Sequence, residues 1–387
     1  MKRTNLTVVL LSLSLVLVTF PQIEVRAESN TIVVPDDYAS IQEAVDAASD
    51  GDTVFVKNGI YSEPIELHKP LTLLGEDSQN TVLEIVMKKY SPPRVILVNA
   101  DNVTVSGFSI INSDIGIWLD DLDSEYEGEP PDNCRIVSNN FFNNSGAINY
   151  YKGTNLTISG NNITDCRSIG ISLGSKSCIV SDNNITNNYG SGISGGDYNL
   201  TIKGNTIKNN TIGIGRSGSG PDYIYENNIT ENDVGIKFQR CNNSTIIRNN
   251  IEGNNVGIEL VNIQETDEYP LGSDNIVYSN NLIDNSQQVL VNKEYWLLWN
   301  YSDSIINGTD TVSWDNGTFG NYWSNYHGED NNSDGIGDTP YIIDQNNQDN
   351  YPIIEPLAIP EFPSWTILAL LLVGTLFAVI SKKRLHS

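Results

Sequence analysis

The sequence predicts an all-β chain: a parallel β-helix solenoid of 22 residues per coil, with an N-terminal helical cap and one C-terminal transmembrane helix. Three observations predict it. First, Phe141, Ile163, Ile185, Ile207, Ile229 and Ile251 follow one another in steps of 22, each two residues after an Asn, and a fixed period of this kind marks a repeat architecture. Second, each unit carries three short apolar pairs separated by turn residues, as in Ile158, Ile163 and Ile169/Ile171. That leaves room for three strands and three turns per coil, rising roughly 4.8 Å. Third, Phe362 to Ser381 carries no charge and is followed by Lys382-Lys383-Arg384. This is a bilayer-length apolar run with a basic inner flank.

Residues 1–27 read as a secretory signal. Lys2 and Arg3 precede the apolar run Leu6–Phe20, and Val25-Arg26-Ala27 offers small residues for cleavage. Residues 28–60 read as a cap. A strand at Thr31–Val34 is followed by the capping box Ser40-Ile41-Gln42-Glu43, and Ile41, Ala44, Val45 and Ala48 then share one helical face. A solenoid needs such a cap because its first coil otherwise exposes an open edge. Ile65 to Val98 reads as two or three irregular coils within a β-helix that spans residues 61–312.

Inside the regular coils, Asn139, Asn161, Asn183, Asn205, Asn227, Asn249 and Asn280 share one phase. Asn144, Cys166, Asn188, Asn210, Asn232, Asn254 and Asn285 share another. Stacked amides of this kind hydrogen-bond along the axis and suit tight turns. Cys134 and Cys178 fall two coils apart, roughly 9–10 Å at strand spacing, too far for a disulfide. They read as small buried hydrophobes.

Two insertions fall in the same phase, Asp120–Asp132 and Gln264–Ser273, six coils apart. They are expected to wall a groove whose floor is Asn149/Tyr151, Ser172/Gly174, Ser194/Gly196, Gly215/Ser217 and Lys237/Gln239. Arg216 breaks the inward column Leu119, Tyr150, Leu173, Gly195, Phe238, Leu260. Either the coil shifts there or the Arg turns outward. Residues 313–357 form a separate block rich in aromatic, Asn, Asp and Gly residues.

The segment Ile32-Val33-Val34-Pro35-Asp36-Asp37-Tyr38 with Ile41-Gln42 and Ala44-Val45, then Gly51-Asp52-Thr53-Val54 and Gly59-Ile60-Tyr61, resembles the N-terminal cap of pectin-lyase-like right-handed β-helix proteins. The Asn-rich coils are similar to the NosD-like subgroup. So is the stretch from Gly320-Asn321-Tyr322-Trp323 through Asp334-Gly335-Ile336-Gly337-Asp338 to Asn350-Tyr351-Pro352. Pro360-Glu361-Phe362 before the terminal apolar run, within the tail 358–387, resembles a PEF-type sorting signal of archaeal surface proteins. The resemblance implies a right-handed solenoid on the cell surface. Its tail is either a single span or cut by an archaeosortase-type enzyme and replaced by a lipid.

NosD-like proteins are associated with copper supply, so the resemblance implies copper. The residues disfavour it, since His68, His327, His386, Met1 and Met87 are scattered and copper wants imidazole or soft ligands. Calcium fits better. Asp330, Asn332, Asp334, the carbonyl of Ile336 and Asp338 place oxygen ligands at alternate positions, with Gly335 sixth, although Tyr341 stands where an EF-hand loop has Glu. The competing reading is a turn without an ion.

The net charge of −26 excludes a basic nucleic-acid-binding face. The functional expectation is a surface scaffold or glycan-binding protein facing envelope glycans. Trp118, Tyr151, Tyr198, Lys237 and Gln239 would line its groove, though aromatics on a solenoid are also ordinary surface cover. The alternative is a carbohydrate-active enzyme of the polysaccharide lyase type, with Arg216, Lys237 and Asp197 as its candidate catalytic residues. No His occurs between Val103 and Leu290, which excludes a His-dependent epimerase in those coils. The competing reading makes Arg216, Lys237 and Asp197 solvated turn residues. Sequons begin at Asn102, Asn143, Asn155, Asn199, Asn209, Asn300, Asn307, Asn316 and Asn331. Those at Asn162, Asn184 and Asn228 adjoin the ladder.

Overall fold

Three parallel sheets run the length of the molecule, and each coil contributes one strand to each sheet. The computed structural model describes residues 29–85, 94–120, 130–196, 199–218, 220–239, 241–261, 274–292 and 312–359. Among these the sheets have 12, 11 and 10 strands. One coil serves as the pattern. Thr157–Ser159 lies in the first sheet, Asn162–Thr164 in the second and Ile171–Leu173 in the third. The next coil repeats it in register, so that Ile158 pairs with Val180, Ile163 with Ile185 and Ile171 with Ile193. The signal segment, the terminal apolar stretch and most of both insertions lie outside the described residues. Among the described residues no helix is long and apolar enough to cross a membrane.

Identical phases stack inside. Phe141, Ile163, Ile185, Ile207, Ile229, Ile251 and Leu282 form one column with no exposure. Each such side chain contributes about 1.5–3 kcal/mol of burial. The turns follow the same rule. Asn102, Asn133, Asn155, Ser177, Asn199, Asn243 and Asp274 all have φ between 53° and 60° or, at Asn199, 61°. Asn and Asp reach this left-handed region more readily than other side chains do, which explains why the turns are written in those letters.

Both asparagine columns form continuous ladders. Asn161 donates its backbone N–H (2.9 Å) and Nδ2 (3.0 Å) to Asn183 Oδ1, and Asn183 repeats this to Asn205. Nδ2 also donates to a strand carbonyl, as Asn183 does to Ile158. Each rung therefore satisfies buried groups that water cannot reach. The second ladder runs from Asn188 to Asn285, with Cys166 donating its backbone N–H into it.

The N-terminal end is closed by the helix Ile41–Ala47, whose Ile41, Ala44 and Val45 are buried. Ser40 Oγ accepts from Glu43 N–H at 3.2 Å, and Glu63 accepts from Ile41 N–H at 2.9 Å, so a carboxylate from the next coil completes the helix cap. Asp52 is buried and accepts from the backbone N–H groups of Ser49 and Asn30, which hold its carboxyl below the usual range.

At the C-terminal end, Val312–Ser313 extends the first sheet and Tyr322–Trp323 the second. Trp314 and Trp323 are fully buried, and Trp323 stacks on Tyr341 at 4.2 Å. This block thus seals the open coil with aromatic surface.

The four cysteines are free and buried. Burial pushes the thiols of Cys166 and Cys241 up to about 12 and that of Cys134 to about 11.

Arg216 corrects the sequence reading. The coil does not shift and the side chain does not turn outward. Arg216 stays in register between Gly195 and Phe238, with 2% exposure. Its Nε donates to Asp222 Oδ2 at 2.9 Å, and Nη2 lies 2.8 Å from the same oxygen. A Cβ at Gly195 would collide with Nη1, so the glycine vacates the space for the guanidinium. Asp222 Oδ1 accepts Leu200 N–H at 2.9 Å. A buried charge pair is tolerated because its remaining lone pairs find such donors.

Candidate functional site

The third sheet presents the face on which the expected groove lies. Its outward column runs Glu66, Leu97, Trp118, Asn149, Ser172, Ser194, Gly215, Lys237, Glu259, Leu290. The middle is low because Ser172, Ser194 and Gly215 have little side chain. Chemistry collects at the two ends.

At the N-terminal end, Trp118 and Tyr151 lie with ring centroids 5.7 Å apart and planes tilted by 58°. Tyr151 is exposed, and Trp118 Nε1 donates to Asp120 Oδ2 at 3.4 Å. Arg94 places its guanidinium carbon 5.8 Å from the Trp118 ring centre, within cation–π range. Arg94 also borders a cleft of ≈ 480 Å³ shared with Gln42, Asp46, Glu66, His68 and Leu97. That volume suits a small ligand or one or two sugar rings. His68 Nε2 lies 4.0 Å from Asp46 Oδ1. Glu66 accepts from Asn99 Nδ2 at 2.9 Å, while Asn99 Oδ1 is buried with no donor among the described residues.

At the other end Lys237 Nζ lies 3.2 Å from Glu259 Oε2. Gln239 is half-buried, in register with Ser217 and Val261. Five coils separate Trp118 from Lys237, roughly 24 Å at strand spacing. The structure brings Trp118 and Tyr151 together and leaves Lys237 and Gln239 remote from them. Arg216 faces inward on the strand Ile212–Ser217, whereas Lys237, on the neighbouring strand Val234–Gln239, pairs with Gly215 in the outward column, so the two do not form one catalytic pair. Asp197 and Tyr198 lie outside the described residues, as do Asp121 and the walls at 121–129 and 262–273.

Arg94, Asp46, Glu66 and Asn99 carry no signal of their own in the sequence, and His68 stands out there only as one of the scattered imidazoles. Extending the Trp118 column back two strands leads to Leu97 and Glu66, and that extension was the available signal. The closeness of Asp46 on the helix has no local signature.

In the C-terminal block, Asp330 Oδ1 and Oδ2 accept from the N–H groups of Asp334 (3.2 Å) and Gly335 (2.9 Å), and Gly335 turns with φ 85°. Asn332 Oδ1 also accepts from Asp334 N–H, and Asp334 Oδ1 from Ile336 N–H. Asp338 instead accepts from Asn331 N–H and Nδ2, which lower its carboxyl below the usual range. Among the described residues no group of three or more His, Cys, Asp and Glu side chains is gathered for a metal. The copper-type donors do not converge either. Each cysteine is buried in a different coil, where burial opposes the thiolate a soft metal needs.

The fold and its flat face define a parallel β-helix protein with a mixed aromatic and polar patch at one end. The family described as periplasmic copper-binding protein (NosD) matches residues 45–195 and 173–328, and the chain belongs to that family. Over 115 residues it is 31% identical to a cell surface glycoprotein of Methanothermus fervidus, which is 29% of this chain and 18% of that protein. Among solved structures it is similar to a mannuronan C-5 epimerase A-module of Azotobacter vinelandii. That match has 12% identity, covers 66% of this chain and 92% of that one, and has a TM-score of 0.46. It is also similar to a mannuronic-acid-specific family 6 polysaccharide lyase from human gut microbiota, with 13% identity, coverage of 69% and 78%, and a TM-score of 0.44.

Proposed function

We propose that this is an exported surface protein that binds glycan at the N-terminal end of its third-sheet face. The observation that carries it is the Trp118–Tyr151 pair, 5.7 Å between rings, set beside a polar cleft. Ring faces take the apolar face of a sugar, and Arg94, Glu66 and His68 supply hydroxyl partners. The surface assignment is supported by the signal-like residues 1–27 and by the stretch similar to a cell surface glycoprotein. The test is a glycan array followed by titration of the best ligand. Trp118→Ala is expected to weaken binding about tenfold, about 1.4 kcal/mol. Unchanged affinity in that variant, or an array without hits, removes the reading.

Polysaccharide cleavage is the second reading, and His68 beside Asp46 in the same cleft favours it. A uronate-polymer assay for unsaturated product decides it, with His68→Ala as the control. Absence of turnover on every polymer rejects it.

The reading extends to both ends of the molecule. The apolar stretch after Pro360-Glu361-Phe362 anchors the protein, as a span or after exchange for lipid by an archaeosortase-type enzyme. The loop Asp330–Asp338 takes calcium through Asp330, Asn332, Asp334, the Ile336 carbonyl and Asp338. The oxygen-only donors and the turn at Gly335 fit a hard cation. Copper handling, which the family description names, finds no fitting donor set among the described residues.

A further inference from the structure

We propose that one edge of the β-helix is an N-glycosylation ridge, with acceptor asparagines on alternate coils at Asn102, Asn155, Asn199 and Asn243. The turn entering the first sheet passes through Asn102, Asn133, Asn155, Ser177, Asn199, Pro221, Asn243 and Asp274 on successive coils. Every second position opens an acceptor triplet: Asn102-Val103-Thr104, Asn155-Leu156-Thr157, Asn199-Leu200-Thr201 and Asn243-Ser244-Thr245. The intervening positions do not, since Asn133 is followed by Cys134-Arg135 and the others are Ser177, Pro221 and Asp274.

The four acceptors share one geometry. Each is exposed, with φ of 57°, 60°, 61° and 53° in order. In each triplet the middle residue is buried, and the threonine faces outward, half-exposed, at the start of a strand. The threonines pair in register with bulkier residues on the coils between them: Thr104, Arg135, Thr157, Ile179, Thr201, Tyr223, Thr245, Ile276. Ile179 is 40% exposed and Tyr223 47%. A sugar chain rooted on either side would cover both, which accounts for apolar surface left open at those two coils. Alternate coils stand roughly 9–10 Å apart, enough for neighbouring glycans to clear one another.

The strand sequons contrast with these. Asn162 and Asn184 lie within strands of the second sheet, each as the first residue, on adjacent coils and half-buried, with Asn184 Nδ2 donating to Asn162 Oδ1 at 2.7 Å. Glycans there would be only one coil rise apart, roughly 4.8 Å, and would collide.

The donor is an oligosaccharide linked through phosphate to a membrane lipid, and the catalyst is a separate transferase. The Asn Nδ2–C1 bond forms and the C1–O(phosphate) bond breaks. The lipid phosphate leaves with the electron pair, and Nδ2 gives one proton to a base of the transferase.

The assignment rests on the export proposed above, and the experiment separates the two. The full chain is produced in a host with such a transferase, recovered from the cell exterior and mapped by glycopeptide mass spectrometry. Glycan is expected at Asn102, Asn155, Asn199 and Asn243 and at neither Asn162 nor Asn184. Thr157→Val, which keeps Asn155 and a β-branched strand residue, is expected to remove the mass of one glycan. Exported chain without glycan on the ridge overturns the assignment, and so does glycan on Asn162 or Asn184. Chain retained in the cytosol overturns export, and the ridge with it.

Discussion

Asp349 Oδ2 accepts the backbone N–H of Asn321 at 2.7 Å, and this contact ends the longer amide ladder. Asn280 donates both its N–H and its Nδ2 to Asn321 Oδ1. Asn321 is thus an eighth rung after the seven from Asn139 to Asn280, supplied by the C-terminal block. Every rung points its N–H groups toward this end, so the last rung needs an acceptor with no donor to offer. A carboxylate meets that need, and it also takes Trp323 Nε1 at 2.8 Å and Tyr351 N–H at 3.0 Å.

Removing Asp349 therefore strips acceptors from several buried donors at once. Asp349→Ala is expected to cost about 3 kcal/mol, read as a shifted urea midpoint and as faster amide exchange in residues 312–359. Burial pushes the Asp349 carboxyl above its ordinary value, against the pull of the N–H donors. The folded state then holds the proton more tightly than the unfolded state. The contribution of this group is largest below the unfolded value and falls as pH rises through the folded one. Asp349→Asn is expected to flatten that slope; an unchanged slope would assign it to other groups.

The Arg216–Asp222 pair predicts strong non-additivity. Arg216→Met or Asp222→Asn alone leaves one buried partner uncompensated, expected to cost about 3–5 kcal/mol. The double variant is expected to cost less than the sum of the two. A double-mutant cycle from denaturation curves measures the coupling, and additive losses would contradict the pairing.

All four cysteines are expected to resist a thiol reagent at pH 8 in the folded protein and to react after unfolding. Their thiols are buried and displaced upward, so little thiolate exists. Absorbance titration with and without denaturant checks this.

Calcium binding by the acidic loop predicts heat on titration of the whole protein and a rise in melting temperature. Asp330→Ala is expected to abolish both. No heat, or heat that survives Asp330→Ala, would reject the loop as the site.

The repeat made the coils legible, because identical letters at a fixed spacing can only stack. Both ladders, the inward columns and the order of the outward column from Trp118 to Lys237 could be read that way. Arg216 was visible as an interruption but not as half of a pair. Its partner Asp222 breaks a different column, Cys134, Leu156, Cys178, Leu200, in the same coil. Two breaks in one coil were the clue. Asp349 and the His68–Asp46 cleft were illegible for another reason. They depend on where the cap and the terminal block fold back, and no periodicity reports that. The walls of the groove stay with the sequence alone, since they lie outside the described residues.

The ladders also set a rule for changing the molecule's length. Each rung accepts from the coil before it and donates to the coil after it, with the same partners at both ends. A whole 22-residue unit can then be duplicated or excised within the regular region without orphaning an amide, and residues inserted between rungs leave both ladders intact, as the 31-residue steps from Asn249 to Asn280 and from Asn254 to Asn285 do. Reach along the axis is therefore adjustable in quanta of one coil, roughly 4.8 Å each, while the two ends and their seals remain the same.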